Sequence, residues 1–132
     1  MESSNSKRNN KSWTIEDSIK TYEIDKWGEK YFSINNIGNV TVARNERLEG
    51  KIDLLKLIKE LKSRDINPPI VLRFNDILKN RIEELNNAFS KAIKTYNYGN
   101  IYQGVFPIKC NHQKNLIEKI LEFGFSWDFG LE

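Results

Sequence analysis

The segment 105–111, with the sequence VFPIKCN, contains the residue best suited to do chemistry, Lys109. It places a lysine at the predicted end of an apolar strand, directly before a helix. Side chains alternate along a strand, so Lys109 shares a face with Pro107, whereas Phe106 and Ile108 take the other face. If those two face surrounding helices, Lys109 faces the mouth of a barrel, where barrel enzymes hold their active sites. A partly desolvated amine there can attack a carbonyl carbon and form a Schiff base. The alternative is an ordinary surface lysine at a strand end.

Three other residues are weaker candidates. Cys110 follows the lysine directly, but free cysteine commonly acts as a small buried hydrophobe, and no activating partner is visible in the sequence. His112 is the only histidine, which excludes a histidine metal cluster. Arg73, after an apolar run, could bind an anion or pair with a carboxylate. The chain has no GxGxxG, GxxxxGK[ST], HExxH or GxSxG motif.

Helix and strand patterns alternate through the part of the chain that carries Lys109. Apolar residues recur every three or four positions in the predicted helices and run without interruption at 70–72 in the first predicted strand. Asp76 is the predicted N-cap of the long middle helix. The predicted elements are, in order, a helix at 54–64, a strand at 70–74, a helix at 76–96, a strand at 101–109, a helix at 116–124 and the start of a strand at 129–132.

This alternation predicts an α/β fold with a parallel sheet. Because a (β/α)8 TIM barrel typically needs about 250 residues, we expect an incomplete barrel, the N-terminal part of one. Before it, the segment 13–50 shows short β-branched or aromatic runs at 22–24, 31–34 and 40–43, with glycine-containing turns between them. These predict two or three strands and no helix. Residues 1–12 hold a single apolar residue and predict a disordered tail.

The composition excludes several classes of protein. The formal net charge is +3, too mild to indicate a nucleic-acid partner. A single cysteine cannot form an internal disulfide, and the first residues lack the apolar stretch of a signal peptide. The longest uncharged run, at 95–108, is too short and too polar to cross a bilayer. We therefore expect a soluble protein of a reducing compartment, the cytoplasm, with no membrane or nucleic-acid partner.

Four stretches in sequence resemble one family. These are the opening strands with Trp27-Gly28 and Gly38-Asn39-Val40, the run PIVLRF with DIL at 69–78, the helix at 85–98, and PIK with Asn111 at 107–111 followed by GLE at 130–132. Together they resemble the biosynthetic arginine decarboxylases, pyridoxal-phosphate enzymes of the alanine-racemase-like fold type. The resemblance covers roughly residues 13 to 132.

The resemblance implies roles for particular residues. Lys109 would form the Schiff base to pyridoxal 5'-phosphate, and Glu132 would lie beside that lysine. Cys110 and His112 depart from the family, which usually has valine and glutamine there. Magnesium and a homo-oligomeric parent enzyme are also implied. The segment 13–50 would pack with a C-terminal β-domain, and 51–132 would form the first βα units of the cofactor-binding barrel.

The expected activity is the conversion of L-arginine to agmatine and CO2 in polyamine and spermidine biosynthesis. The groups that bind the phosphate and the guanidinium would lie downstream of Glu132, so the isolated chain is expected to be inactive. One alternative is a catalytically inactive fragment of a split or truncated gene. Another is a related ornithine or diaminopimelate decarboxylase, which Trp27-Gly28 and Ile108 disfavour.

Overall fold

The protein is a mixed α/β chain with small sheets, described by a computed structural model over residues 12–43, 50–124 and 127–130. It divides into two compact units, Met1–Asn67 and Pro68–Glu132. Within the described residues neither sheet closes into a barrel. The predicted α/β class is confirmed at this level.

The first unit begins with two short helices, α1 (Ile15–Thr21) and α2 (Ile24–Trp27). A capping box starts α1: the Asp17 backbone N–H donates to Thr14 Oγ1 at 3.1 Å, and the Thr14 N–H donates to Asp17 Oδ2 at 3.0 Å. The strand predicted at 22–24 and the absence of helix predicted for 13–50 are both wrong, because Tyr22 and Glu23 form the turn between the two helices and Ile24 begins α2. These local hydrogen bonds favour a helix, and the β-branched Ile24 serves as a buried anchor in α2.

An antiparallel sheet follows, with strands β1 (Phe32–Ile34), β2 (Val40–Val42) and β3 (Ile52–Asp53) in that order. Phe32 pairs with Val42 and Ile34 with Val40. Gly38, at φ +82°, supplies the left-handed residue that the connecting turn requires. The strands predicted at 31–34 and 40–43 are confirmed.

Helix α3 (Leu54–Ser63) completes the first unit and agrees with the predicted helix at 54–64. Asp53 caps it, because its Oδ1 accepts from the Lys56 N–H at 3.0 Å. The buried apolar side chains of the described part of this unit are Ile24, Tyr31, Val42 and Ala43.

The second unit contains two helices, α4 (Asn75–Thr95) and α5 (Lys114–Gly124), and two strands, β4 (Val105–Pro107) and β5 (Asp128–Gly130). The strands are parallel, with Val105 opposite Asp128 and Pro107 opposite Gly130. The predicted helices and the parallel arrangement are confirmed. The N-cap of α4 is Phe74 and not Asp76, because helical geometry already begins at Asn75.

Two predicted strands need correction. The segment 70–74 forms no strand in the described structure, since an apolar run becomes a strand only where a neighbouring segment completes its hydrogen-bond ladder. The strand predicted at 101–109 is limited to Val105–Pro107. Proline removes a ladder N–H and ends the pairing. The division into 13–50 and 51–132 by role in a larger enzyme stays a prediction.

Candidate active site at Lys109

Lys109 lies in a single turn of 3-10 helix, Ile108–Cys110, immediately after β4. Pro107 is extended, at φ −76° and ψ 106°, and the Asn111 N–H donates to the Ile108 carbonyl at 3.0 Å to close the turn. The lysine therefore follows the carboxyl end of a parallel strand and precedes α5, as predicted. It is not itself in the strand, so the alternation of side chains along β4 does not determine which way it points.

The Lys109 side chain is exposed. Among the residues that the structure describes, no hydrogen bond or ion pair engages its amine. An amine in this state is accessible to a small electrophile such as an aldehyde. The expectation of a partly desolvated amine is therefore wrong for the described structure, in which the Lys109 side chain is open to solvent.

The neighbouring candidates are also on the surface. Cys110 is an exposed free thiol, so the expectation of a buried hydrophobe is wrong for it. His112 is exposed, and Asn111 Oδ1 accepts from the Gln113 N–H at 3.1 Å at the start of α5. Arg73 is exposed and has no carboxylate partner within the described ranges. Glu132 lies outside the described residues.

Sequence reasoning missed Trp127, which organises the base of the β4–β5 pair. Its Nε1–H donates to Asn86 Oδ1 on α4 at 2.9 Å. The next residue, Asp128, donates its N–H to the Gly104 carbonyl at 2.8 Å, directly before β4. The available signal was a tryptophan three residues after Gly124, with Gly104 earlier in the chain.

An aromatic cleft lies elsewhere in the second unit. Phe89 and Tyr102 stack with ring centroids 3.9 Å apart and planes 2° from parallel. The cleft has a volume of about 370 Å³ and is lined by residues of the C-terminal half of α4, by its C-cap Tyr96 and by residues of the segment 98–103. Lys109 is not part of its lining, so the cleft and the lysine are separate features.

The described residues fit pyridoxal phosphate at one point, the accessible amine of Lys109. A phosphate-binding loop is not assignable to the described ranges. In the part of the chain that the structure describes, no group of three or more His, Cys, Asp or Glu side chains is placed to hold a metal ion. No described residue is therefore assigned to magnesium. None of the described helices is both long and apolar enough to cross a membrane.

Comparison with known proteins finds similarity to one class of enzymes, the biosynthetic decarboxylases. The chain is 66% identical over all 132 residues to the biosynthetic arginine decarboxylase of Prochlorococcus marinus strain MIT 9515. It is 69% identical over 120 residues to that of strain MIT 9312, and 46% identical over 132 residues to that of strain MIT 9303. No family model matches the chain.

The particular similarity is to arginine decarboxylases, and it confirms the resemblance drawn from the sequence motifs. The match covers 100% of this chain but 20% of the MIT 9515 protein, and it falls on the N-terminal part of the relatives. The chain thus spans about a fifth of the length of the curated relatives it matches.

Proposed function

We propose that this chain is the N-terminal part of a pyridoxal-phosphate-dependent arginine decarboxylase, a carboxy-lyase that converts L-arginine to agmatine and CO2. The observation that carries the proposal is the 66% identity over all 132 residues, because it includes the Lys109 segment. The parallel β4–β5 pair, with the lysine just after β4, supports it.

In this proposal Lys109 is the residue that holds the cofactor. Pyridoxal phosphate, when bound, supplies an aldehyde for an amine and a ring that withdraws electrons from the bond to the departing carboxylate. Lys109 contributes a flexible, exposed amine on a short turn, able to bind the cofactor and to give way to the α-amine of arginine. The same amine can return a proton to the carbon that loses CO2. Glu132 is proposed beside it.

We also propose a place for the fold in a larger enzyme. The two parallel strands with α4 and α5 would be the first βα units of a (β/α)8 barrel. The segment 13–50 would add strands to a separate β-domain. The assembled enzyme would be a homo-oligomer in the cytoplasm, with magnesium as a further requirement that rests on the family resemblance alone.

A second candidate is a catalytically inactive fragment. Groups for the phosphate and the guanidinium are not assignable to the described residues, so these 132 residues alone would not orient the cofactor for decarboxylation. The ornithine and diaminopimelate alternatives receive no support from the names of the relatives, which specify arginine.

The test is a graft in which residues 1–132 replace the matching part of the MIT 9515 relative. We expect the graft to release CO2 from arginine. Lys109→Ala should reduce that rate by at least about 100-fold, the lower end of what one positioned proton-transfer group contributes. Lys91→Ala, at an exposed lysine on α4, is the matched control and should leave the rate unchanged.

Borohydride reduction followed by peptide mapping supplies an independent measurement. The cofactor label should appear on the peptide that contains Lys109 and disappear in Lys109→Ala. Normal turnover together with an unchanged label in that variant would end the assignment of Lys109. An inactive graft of an otherwise active relative would favour the inactive-fragment alternative.

A further inference from the structure

Trp127 and two glycines fit together closely at the base of the β4–β5 pair. A Cβ atom at Gly104 would overlap the Trp127 indole, and one at Gly124 would lie 2.8 Å from Trp127 Cβ and Cγ. Both glycines are buried. The positive-φ glycines of the described chain are Gly38 and Gly50, so Gly104 is required by the indole and not by its backbone conformation.

Hydrogen bonds from Trp127 also join it to both helices of the second unit. Its Nε1–H donates to Asn86 Oδ1 on α4, and its backbone N–H donates to the Gly124 carbonyl at the end of α5 at 3.2 Å. The hydrogen bond from the Asp128 N–H to the Gly104 carbonyl then sets the start of β5 against the start of β4. Trp127 therefore fixes where the ladder begins.

This contact matters because the ladder itself is short. β4 and β5 have three residues each, and a two-stranded pair of this length is at best marginally stable alone. A slip by one residue would turn every side chain to the opposite face. Lys109 follows β4 by two residues, through a proline with a fixed φ, so its place depends on the register of β4.

We propose that Trp127 is a positioning residue for Lys109: by packing on Gly104 and Gly124 and binding Asn86, it sets the register of β4 and so the place of the turn that carries the lysine. The inference rests on the proposed function for its catalytic meaning. The effect of Trp127 on the register of β4 does not rest on the proposed function, and it can be measured in the 132-residue chain itself.

The sole cysteine, Cys110, gives a direct probe because it is exposed and lies in the same turn as Lys109. A nitroxide on Cys110 reports the motion of that turn in an electron paramagnetic resonance spectrum. If the turn is held in place, the parent chain should show a spectral component from slow nitroxide motion. Gly104→Ala, which places a methyl group where the indole lies, should cause loss of this slow component. Gly99→Ala is the matched control, since no atom beyond Gly99 and its two chain neighbours lies within 4 Å of the Cβ position.

Trp127→Phe is the second variant, in case Gly104→Ala prevents folding. It keeps an aromatic ring over the glycines but removes the Nε1–H that binds Asn86, so it should lose part of the slow component. Circular dichroism confirms that each variant retains its helices. A folded Trp127→Phe or Gly104→Ala protein with the spectrum of the parent chain would overturn the proposal.

In the grafted enzyme, Trp127→Phe should lower kcat by up to about 100-fold, the effect of a displacement of roughly 1 Å at the reacting centre. KM for arginine should stay constant, because the substrate-reading groups are elsewhere. A purely structural role would lower the melting temperature and leave kcat unchanged, and that result would overturn the positioning role. A changed nitroxide spectrum in the chain beside an inactive parent graft would remove only the proposed function.

Discussion

The two units of the chain solve the problem of burial in different ways. The first unit joins neighbouring segments: β1 pairs with β2, and β2 with β3, all antiparallel. The second unit pairs β4 with β5 in parallel across the intervening helix α5. Antiparallel strands can be joined by short turns, and one face of their sheet can be exposed to water. Parallel sheets need helices that cover both faces. The first unit is therefore the more self-contained of the two.

The buried side chains show this difference. The described part of the first unit buries four apolar side chains, from Ile24 to Ala43. The described part of the second unit buries only two apolar side chains, Ile82 and Ile120, although its helix α4 is 21 residues long. Large exposed apolar side chains occur in both units, and in the second unit four of them, Phe89, Tyr96, Tyr98 and Ile101, line one cleft. Tyr96 there is 81% exposed and Ile101 78%. Such a surface fits a unit that further polypeptide would cover.

The largest expected effect concerns the small core of the second unit. Ile120 on α5 is 1% exposed, so Ile120→Ala should lower the free energy of unfolding by about 2–5 kcal/mol. Its neighbour Leu121 is 53% exposed and is the matched control, because truncation there leaves no cavity. Denaturant titration followed by circular dichroism measures both. Equal costs for the two variants would show that α5 is not held through Ile120.

The aromatic cleft gives the next prediction. We expect the isolated chain to self-associate, because open strand edges and solvent-exposed apolar surface favour contacts between chains. We also expect it to release no CO2 from arginine, because groups that would orient the cofactor are not assignable to the described residues. Ile101→Lys should shift the association equilibrium towards monomer, since a charge on this surface opposes its burial.

Ile37→Lys is the matched control, since Ile37 is an isoleucine of the first unit with a similar exposure, 70%. Analytical ultracentrifugation measures the change. An equal effect from the two substitutions would place the association outside the cleft, and a monomeric parent chain would contradict the prediction altogether.

Much of the fold could be predicted from periodicity. The helices at Leu54–Ser63 and Asn75–Thr95 have apolar positions every three or four residues, and the glycine turn before β2 marked a hairpin. Helix α1 escaped detection because its signal is a capping box and not an apolar face. The strand predicted from the apolar run at 70–74 was wrong, since strand formation depends on a partner strand that periodicity does not reveal.

The site was predictable in part. The position of Lys109 between a strand and a helix followed from the sequence pattern, whereas the 3-10 turn did not, because Pro107 ends the ladder earlier than an apolar run suggests. Trp127 could not be assigned, since its role depends on contacts with Gly104 and Asn86, which are distant in sequence. Close packing between remote residues leaves little trace in a single sequence.

The first unit should depend more on local hydrogen bonds, beginning with the cap of α1. Thr14→Ala removes the side-chain oxygen that accepts from Asp17 and should cost about 1 kcal/mol of stability. Thr21→Ala, at the last residue of the same helix, is the control and should have a smaller effect. Thermal unfolding measures the difference. Similar losses for the two variants would show that the capping box does not hold α1.

The smallest expected effect is a pH dependence carried by Asp53, which joins the sheet of the first unit to α3. The Asn39 side chain donates to Asp53 Oδ2 at 2.9 Å, the Lys56 N–H donates to Oδ1, and the Asn35 side chain donates to Oδ2 at 3.0 Å. These hydrogen bonds, led by that of Asn39, hold the pKa of Asp53 below its ordinary value of 3.8.

Because the folded pKa of Asp53 is depressed, its contribution to stability is fully present above pH 3.8 and is lost as the pH falls through the folded pKa. Asp53→Asn keeps a good capping residue but cannot titrate. The variant should therefore be less stable than the parent chain near neutral pH, and the gap should narrow as the pH falls below 3.8. Asp25→Asn on α2 is the matched control. Unfolding titrations across that range measure the gap, and a gap for Asp53→Asn that is constant with pH would mean that the carboxylate does not stabilise the junction through its charge.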